Sequence, residues 1–235
     1  MPGSRVNPAL LAAIIRFNAP GVCDFAPEAL PAPAEALLRN GALRRLESTR
    51  AGRTLVSAWL RRQLGVMGVF TDFQEETRRL ALLDRKTLSS LALIYGACVY
   101  AQEAARMVRR EDTMALRASL GSYYDYALSR GRFQMQRARE FFAAFRREDP
   151  LPGRMAAAGF TALCHCLASW PEPLARLAAP RLPAELRSSL AEPGGGARGE
   201  GFWAPDHAVT PDFFWTDLKK LLLSEVAPQW QACFA

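Results

Sequence analysis

Three side chains that often bind metals stand next to one another at Cys164, His165 and Cys166. Such a set could hold zinc, and cysteine pairs can perform redox chemistry. In a helix, successive side chains diverge by about 100°, so the two thiols would point to nearly opposite sides and could not share one ion. In a strand the thiols would share a face, but His165 would point away from it. Because Leu163 and Leu167 continue a helical apolar stripe, we predict packed core residues here, with no metal and no cofactor.

The stretch 194–199, Gly-Gly-Gly-Ala-Arg-Gly, matches the spacing G-x-G-x-x-G of dinucleotide-binding loops. That motif binds a pyrophosphate because a strand leads into it and a helix N-terminus follows it. Here a helical segment and Pro193 precede the glycines, and no strand–helix–strand unit surrounds them. We therefore predict a flexible loop over residues 191–205, just before the C-terminal helix.

Residues suited to acid–base or nucleophilic catalysis are sparse. The two histidines are His165, in the apolar stripe, and His207, just after the glycine-rich stretch. The chain has no G-x-S-x-G, H-E-x-x-H or P-loop motif to place a nucleophile, a zinc ion or a phosphate. Acids and bases at helical spacing, as in "EFFAAFRRED", are typical of surface ion pairs. We expect that the protein is not an enzyme.

The net charge is strongly positive and is carried almost entirely by arginine. Thirty Lys and Arg residues against 23 Asp and Glu give +7, and only Lys86, Lys219 and Lys220 are lysines. A basic protein can bind nucleic acid, a membrane surface or an acidic protein. The arginine pairs are spread along the chain instead of forming one block. This favours a solvated surface, or a docking face formed on folding, over a nucleic-acid-binding module.

A dense cationic segment covers residues 122–148, "SYYDYALSRGRFQMQRAREFFAAFRRE". We predict one long amphipathic helix, or two helices broken at Gly131. Its tyrosines, beside arginines, could stack on single-stranded nucleic acid, but a half-buried helix explains them equally well. Charge density selects four candidate protein-interaction residues: Arg130, Arg132, Arg137 and Arg139.

The elements that would position these residues are all predicted to be helical. Asn7 is suited to cap a first helix that begins with Pro8, and Thr210 and Pro211 have the same roles in the closing helix. Helical spacing of apolar residues extends over 34–47 and 54–70, and an all-round apolar run at 88–101 predicts a central helix. A more polar helix is predicted over 72–83 and another buried helix over 154–170. No stretch alternates long enough to predict a strand. The expected fold is a single compact all-α domain over residues 1–235.

Cysteine usage and hydropathy predict a cytoplasmic protein. Five cysteines without disulfide-scaffold spacing indicate free thiols in a reducing compartment, such as the bacterial cytosol. The N-terminal residues lack the features of a signal peptide. The longest charge-free stretches are shorter than the ~20 apolar residues that a membrane span needs, so we expect no direct membrane insertion.

Four segments, taken in order, resemble one protein family. They are "IIRFNAPGVCDFAPEALP" (14–31), "LRASLG" (116–121), "LASWPEPLARLAAPRLP" (167–183) and "LKKLLLSEVAPQW" (218–230). This order is similar to that of the SctK/YscK family, the cytosolic K subunit of the type III secretion sorting platform. The similarity extends over most of the chain. The glycine-rich insert at 194–201 and the arginine-rich segment at 130–147 depart from the family.

The resemblance implies a non-enzymatic adaptor. Such a protein links the cytoplasmic domain of the inner-membrane ring protein, SctD, to the cytosolic pod protein, SctQ, and supports assembly of the platform and protein export. It would be peripheral to the inner membrane through the secretion apparatus. The alternatives are a basic helical nucleic-acid-binding module and a small-molecule enzyme or sensor. A secretion chaperone is disfavoured, because such chaperones are usually small and acidic.

Overall fold

A computed structural model describes residues 7–30, 32–39, 41–143, 149–190 and 212–234, with only the backbone at Ser189. The regular secondary structure of these residues is entirely helical, and no strand occurs within them. The prediction of an all-α fold is confirmed. The loop predicted at 191–205 lies outside the described residues, as do His207, Thr210 and Pro211.

The chain forms many short helices. The α-helices are, in chain order, α1 (Pro8–Asn18), α2 (Ala32–Arg39), α3 (Ala42–Glu47), α4 (Arg50–Gln63), α5 (Arg85–Val99), α6 (Ala101–Ala104), α7 (Arg110–Leu120), α8 (Tyr123–Ser129), α9 (Gln136–Ala143), α10 (Leu151–Leu167), α11 (Glu172–Ala178), α12 (Ala184–Leu190) and α13 (Asp212–Leu221). The 3-10 helices are Val22–Asp24, Pro27–Ala29, Glu76–Leu82, Gly131–Phe133, Ala179–Arg181 and Pro228–Cys233, and a π-helical turn, Leu222–Val226, continues α13.

The described residues group into two compact units. Unit 1 contains 7–85, 170–190 and 229–234, and unit 2 contains 86–169 and 212–228. Each unit is therefore built from stretches that are far apart in sequence. A single domain over 1–235 stays a prediction.

The core of unit 1 forms where α2, α3 and α4 meet the chain that follows α1. As predicted, Asn7 caps α1: its side-chain oxygen accepts the backbone N–H of Ala9 at 2.9 Å, and Pro8 is the first helical residue. Apolar side chains from these elements form one buried cluster: Val22, Phe25, Ala34, Leu43, Val56 and Leu60.

The chain after α4 differs from the sequence prediction. Helices were expected over 54–70 and 72–83, but α4 ends at Gln63 and only the 3-10 helix Glu76–Leu82 follows. Gly65, with φ 69°, ends α4, since the N–H groups of Gly65 and Val66 donate to the C=O groups of Arg62 and Arg61. Asn18 then holds the segment that follows. Its side-chain oxygen accepts the N–H of Phe70 at 2.8 Å, and its amide nitrogen donates to the C=O of Phe70 at 2.7 Å. Both backbone groups of Phe70 are thus bound by a side chain instead of by a helix.

In unit 2, α5 and α10 cross at very short range through two glycines. A Cβ atom added to Gly96 would lie 1.7 Å from the Met155 carbonyl oxygen, and one added to Gly159 would lie 1.8 Å from that of Ala92. Only glycine permits this backbone approach. The helices predicted at 88–101 and 154–170 correspond to α5 and α10, and most of the apolar residues of both are buried.

The closing helix packs into unit 2 through its apolar side chains. Phe214, Leu218, Leu221 and Leu222 are buried, and α13 contacts α10. Among the helices described, none combines the length and the apolar content needed to cross a bilayer.

Candidate protein-interaction site

The four arginines selected from the sequence lie on three successive elements of unit 2. Arg130 is the C-cap that directly follows α8, Arg132 lies in the 3-10 helix Gly131–Phe133, and Arg137 and Arg139 lie on α9. Of the two predicted arrangements, the structure therefore has the helix pair broken at Gly131. The break is packed against α5, since a Cβ atom on Gly131 would lie 2.3 Å from the sulfur of Cys98.

Arg132 and its neighbour Phe133 form an exposed aromatic–cation pair. The Phe133 side chain is 72% exposed, and the guanidinium carbon of Arg132 lies 4.5 Å from the centre of its ring. Arg130 is also exposed. Arginine and aromatic side chains are enriched in protein interfaces and in their energetic hot spots. Sequence reasoning missed Phe133, although an Arg-Phe pair beside a helix-breaking glycine was a usable signal.

Arg139 is less free to bind a partner, and Arg137, although exposed, lies near acidic side chains. Arg139 is partly buried, and its Nε donates to the backbone oxygen of Met135 at 3.3 Å. Arg137 lines a groove with Glu140 of α9 and with Asp212 and Asp217 of α13. Burial raises the pKa of the Asp217 carboxyl, whereas the positive charges of Lys220 and Arg137 oppose this rise. The positive charge of Arg137 therefore acts on Asp217 within unit 2, so its reversal is a less specific test of a partner contact than reversal of Arg130 or Arg132.

The structure places Cys164, His165 and Cys166 on α10. Both thiols are buried, and His165 packs against Phe214, with ring centres 5.1 Å apart. Burial lowers the pKa of His165 and raises the pKa of Cys166 well above that of an ordinary thiol. Both shifts favour the neutral side chains, which is the behaviour of packed core residues.

Within the described part of the chain, no cluster of three or more His, Cys, Asp or Glu side chains could hold a metal ion. The glycine-rich stretch 194–199, which matches the dinucleotide-binding spacing, lies outside the described residues.

Two of the four segments that carry the family resemblance meet in unit 1. The N–H of Ala26, in segment 14–31, donates to the C=O of Pro180, in segment 167–183, at 2.8 Å. Arg181 of the second segment donates to the C=O of Phe17 at 2.9 Å and lies over its ring at 4.8 Å. Trp170, at the start of the unit-1 part of that segment, is buried and donates its indole N–H to the C=O of Thr77 at 3.1 Å. These residues hold unit 1 together.

Comparison with known proteins finds no matching family model, no matching curated protein and no matching solved structure.

Proposed function

We propose that the protein is a non-enzymatic adaptor of a type III secretion sorting platform, similar to the K subunit. In this role it links an SctD-like cytoplasmic domain to an SctQ-like pod protein and thereby supports protein export. Its place is the bacterial cytoplasm, at the inner-membrane ring.

The proposal rests on the contact between two of the segments that carry the family resemblance, 14–31 and 167–183. They are separated by more than a hundred residues, yet they share the Ala26–Pro180 hydrogen bond and the Arg181–Phe17 contact. Segments that pack on each other must remain compatible, so their joint resemblance supports one common fold better than two unrelated short matches would. The all-α fold is in keeping with this assignment.

Arg130, Arg132 and Phe133 are the residues that we assign to the contact with the SctD-like domain. A guanidinium group binds carboxylates through a planar pair of donors, and an exposed aromatic ring adds apolar contact area. Charges at the rim of an interface mainly speed association and are screened by salt over ~8–10 Å. Binding should therefore weaken as the salt concentration rises.

The test is calorimetric titration of the purified protein with the SctD-like domain and the SctQ-like protein from the same genome. We expect both to bind, and the first to bind more weakly at high salt. Reversing Arg130 and Arg132 to Glu should weaken the SctD-like contact by at least tenfold, about 1.4 kcal/mol. The matched control reverses Arg109 and Arg110, which are exposed arginines of the same unit.

Failure to bind either protein would overturn the adaptor proposal. If the affinity for the SctD-like domain changes neither with salt nor with charge reversal of Arg130 and Arg132, only the assigned surface is rejected.

The nucleic-acid alternative gains little support from the tyrosines. Tyr123, Tyr124 and Tyr126 are all partly buried, and Arg117 lies over the ring of Tyr124 at 5.5 Å. Stacking on single strands needs freely accessible aromatic faces. Tight, steeply salt-dependent binding of an oligonucleotide in the same titration would favour this alternative over the adaptor.

A further inference from the structure

Unit 1 contains a groove that runs beside α4. Four residues at helical spacing on α4 line it: Arg50, Thr54, Ser57 and Arg61. Arg53 also lines it, together with Ile15 and Arg16 near the end of α1 and Val69 from the following loop. We call this feature the α1–α4 groove.

The groove exposes apolar side chains that unit 1 does not cover. Ile15 is 61% exposed and Val69 is 62% exposed. The loop that carries Val69 is held in place by Asn18, which binds both backbone groups of the adjacent Phe70. The volume of the groove is about 810 Å³. A water molecule takes up roughly 30 Å³, so this space suits a chain segment better than a single ion.

The groove also carries four arginines that form no ion pair with the described part of the chain. Among the described residues, none of Arg16, Arg50, Arg53 and Arg61 forms an ion pair with a carboxylate. Arg53 donates to the backbone oxygen of Glu47 at 3.1 Å and Arg61 to that of Gly68 at 3.4 Å, which leaves their charges uncompensated.

The carboxylates nearby are already bound by backbone groups. Glu47, the one acidic residue that lines the groove, accepts the N–H of Val22 at 2.7 Å. Asp24 accepts the N–H of Gly21 at 2.8 Å. Four arginines against the Glu47 carboxylate still leave the groove with an excess of positive charge beside the exposed side chains of Ile15 and Val69.

Two of these arginines lie at the N-terminus of α4, where a positive charge destabilises the helix. Arg50 and Arg53 are among the first four residues of α4, which has no acidic residue in its first turn. The positive end of the helix dipole lies there and disfavours cations. Helix stability thus gives no reason for arginine at these positions, whereas binding of an anionic ligand does.

We propose that the α1–α4 groove binds an acidic segment of a partner protein, with an apolar side chain seated on Ile15 and Val69 between carboxylates bound by the four arginines. The arginines favour acidic residues in the bound segment by charge complementarity, and the exposed Ile15 and Val69 favour an apolar residue between them. The site belongs to a different unit from Arg130 and Phe133, and it does not depend on the adaptor role.

The test uses the full chain and a dye-labelled peptide with Glu-Asp-Leu-Ile-Glu-Asp at its centre. Fluorescence anisotropy should show binding that weakens at least tenfold in the Arg50→Glu/Arg53→Glu variant. Because Glu suits the start of a helix, this variant should melt at the same temperature as the wild type or higher. The matched control is Arg62→Glu, an exposed arginine of α4 that does not line the groove, and it should leave binding nearly unchanged. Peptides with Lys for the acids, or Gly and Ser for Leu and Ile, should bind at least tenfold more weakly.

The native thiol of Cys23 provides an independent measurement of whether the peptide occupies the groove. Cys23 lines the groove and is exposed, whereas the other four cysteines are buried. Partial burial and the carboxylates of Asp24 and Glu47 raise its pKa, so alkylation is followed at mildly alkaline pH. Saturating peptide should slow alkylation of Cys23, measured by mass spectrometry, by severalfold.

Several results would overturn the proposal. They are peptide binding that survives reversal of Arg50 and Arg53, loss of binding in the Arg62→Glu control, and an unchanged alkylation rate of Cys23. Stronger protection of Cys23 by an oligonucleotide, by vesicles of anionic phospholipid, or by self-association of the chain would also reject a protein segment as the occupant.

Discussion

His165 is a half-buried imidazole whose surroundings favour its neutral form. Burial lowers its pKa, and its Nε2 has no hydrogen-bond partner among the described residues. The unfolded chain, with an ordinary histidine pKa of ~6.5, therefore binds this proton more readily than the folded chain does. The contribution of His165 to stability is present above pH ~6.5 and is lost as the pH falls from there through the folded-state pKa.

We expect the denaturant midpoint of the wild type to fall over this range more steeply than that of His165→Phe, which keeps a ring against Phe214. Urea unfolding at several pH values measures the difference, and Phe133→His, which adds an exposed histidine to the same unit, is the control. Equal slopes for the wild type and His165→Phe would mean that the imidazole is solvated in the folded protein.

The side chain of Asn18 fixes the loop that follows α4, which begins at Leu64, 46 residues later in the sequence. Replacing it with alanine removes both hydrogen bonds to Phe70 and the one to the C=O of Ile14 at 3.0 Å. Unpairing such groups typically costs about 1–3 kcal/mol. Asn18→Ala should lower the free energy of unfolding by this amount, whereas Asn7→Ala, which loses a helix cap and the hydrogen bond to the C=O of Ala232, should cost about 1–2 kcal/mol. Denaturant titration with circular dichroism gives both values.

The same residue shows why part of the fold could not be predicted from the sequence. The cap at Asn7 and the buried runs of α5 and α10 were predictable, because caps and periodicity are local. The end of α4 at Gln63 is local too, because Gly65 takes a left-handed conformation (φ 69°) and the N–H groups of Gly65 and Val66 donate to the C=O groups of Arg62 and Arg61. The path of the chain beyond it is not local, because Asn18 binds Phe70, 52 residues away. Tertiary hydrogen bonds of this kind override local helical preference.

At the scale of elements, the α5–α10 crossing depends on glycine at two positions. Gly159→Ala would drive a Cβ atom into the Ala92 carbonyl and force the helices apart, so we expect a loss of about 1–3 kcal/mol or more. The matched control is Gly153→Ala on the same helix, where the new Cβ atom would meet only Asp149, at 3.8 Å. That change should be neutral or stabilise the protein by up to ~1 kcal/mol. Thermal melts compare the two variants, and similar behaviour would contradict the close crossing.

The candidate interaction site was also predictable only in part. Charge density selected Arg130 and Arg132, and both are exposed. It could not separate them from Arg137, whose charge acts on Asp217 of α13, because the two residues come near each other only after folding. Phe133 was missed since its exposure follows from the end of α8 at Ser129, and a continuous helix would have oriented it differently.

At the scale of the whole molecule, the cysteines are expected to remain free thiols without metal. Four of the five are buried, and burial raises the pKa of Cys98 to about 12. Such thiols are poor ligands and poor nucleophiles, because the thiolate is the reactive form. Elemental analysis of the purified protein should find no stoichiometric zinc or iron, and a chelator should leave the melting temperature unchanged. A clear drop on chelation would refute this expectation.

Unit 1 collects residues from the beginning, the middle and the end of the chain, and this determines when it can form during synthesis. Arg79 donates to the C=O of Cys233 at 2.9 Å, and the side chain of Asn7 donates to the C=O of Ala232. Translation proceeds at ~5–20 residues per second, so α1 to α4 wait many seconds for these contacts. During that interval the ribosome holds a partly assembled unit, in which Asn7 and Arg79 lack their contacts with residues 232 and 233. We expect the nascent chain to be a client of ribosome-associated chaperones until residues 229–234 leave the exit tunnel.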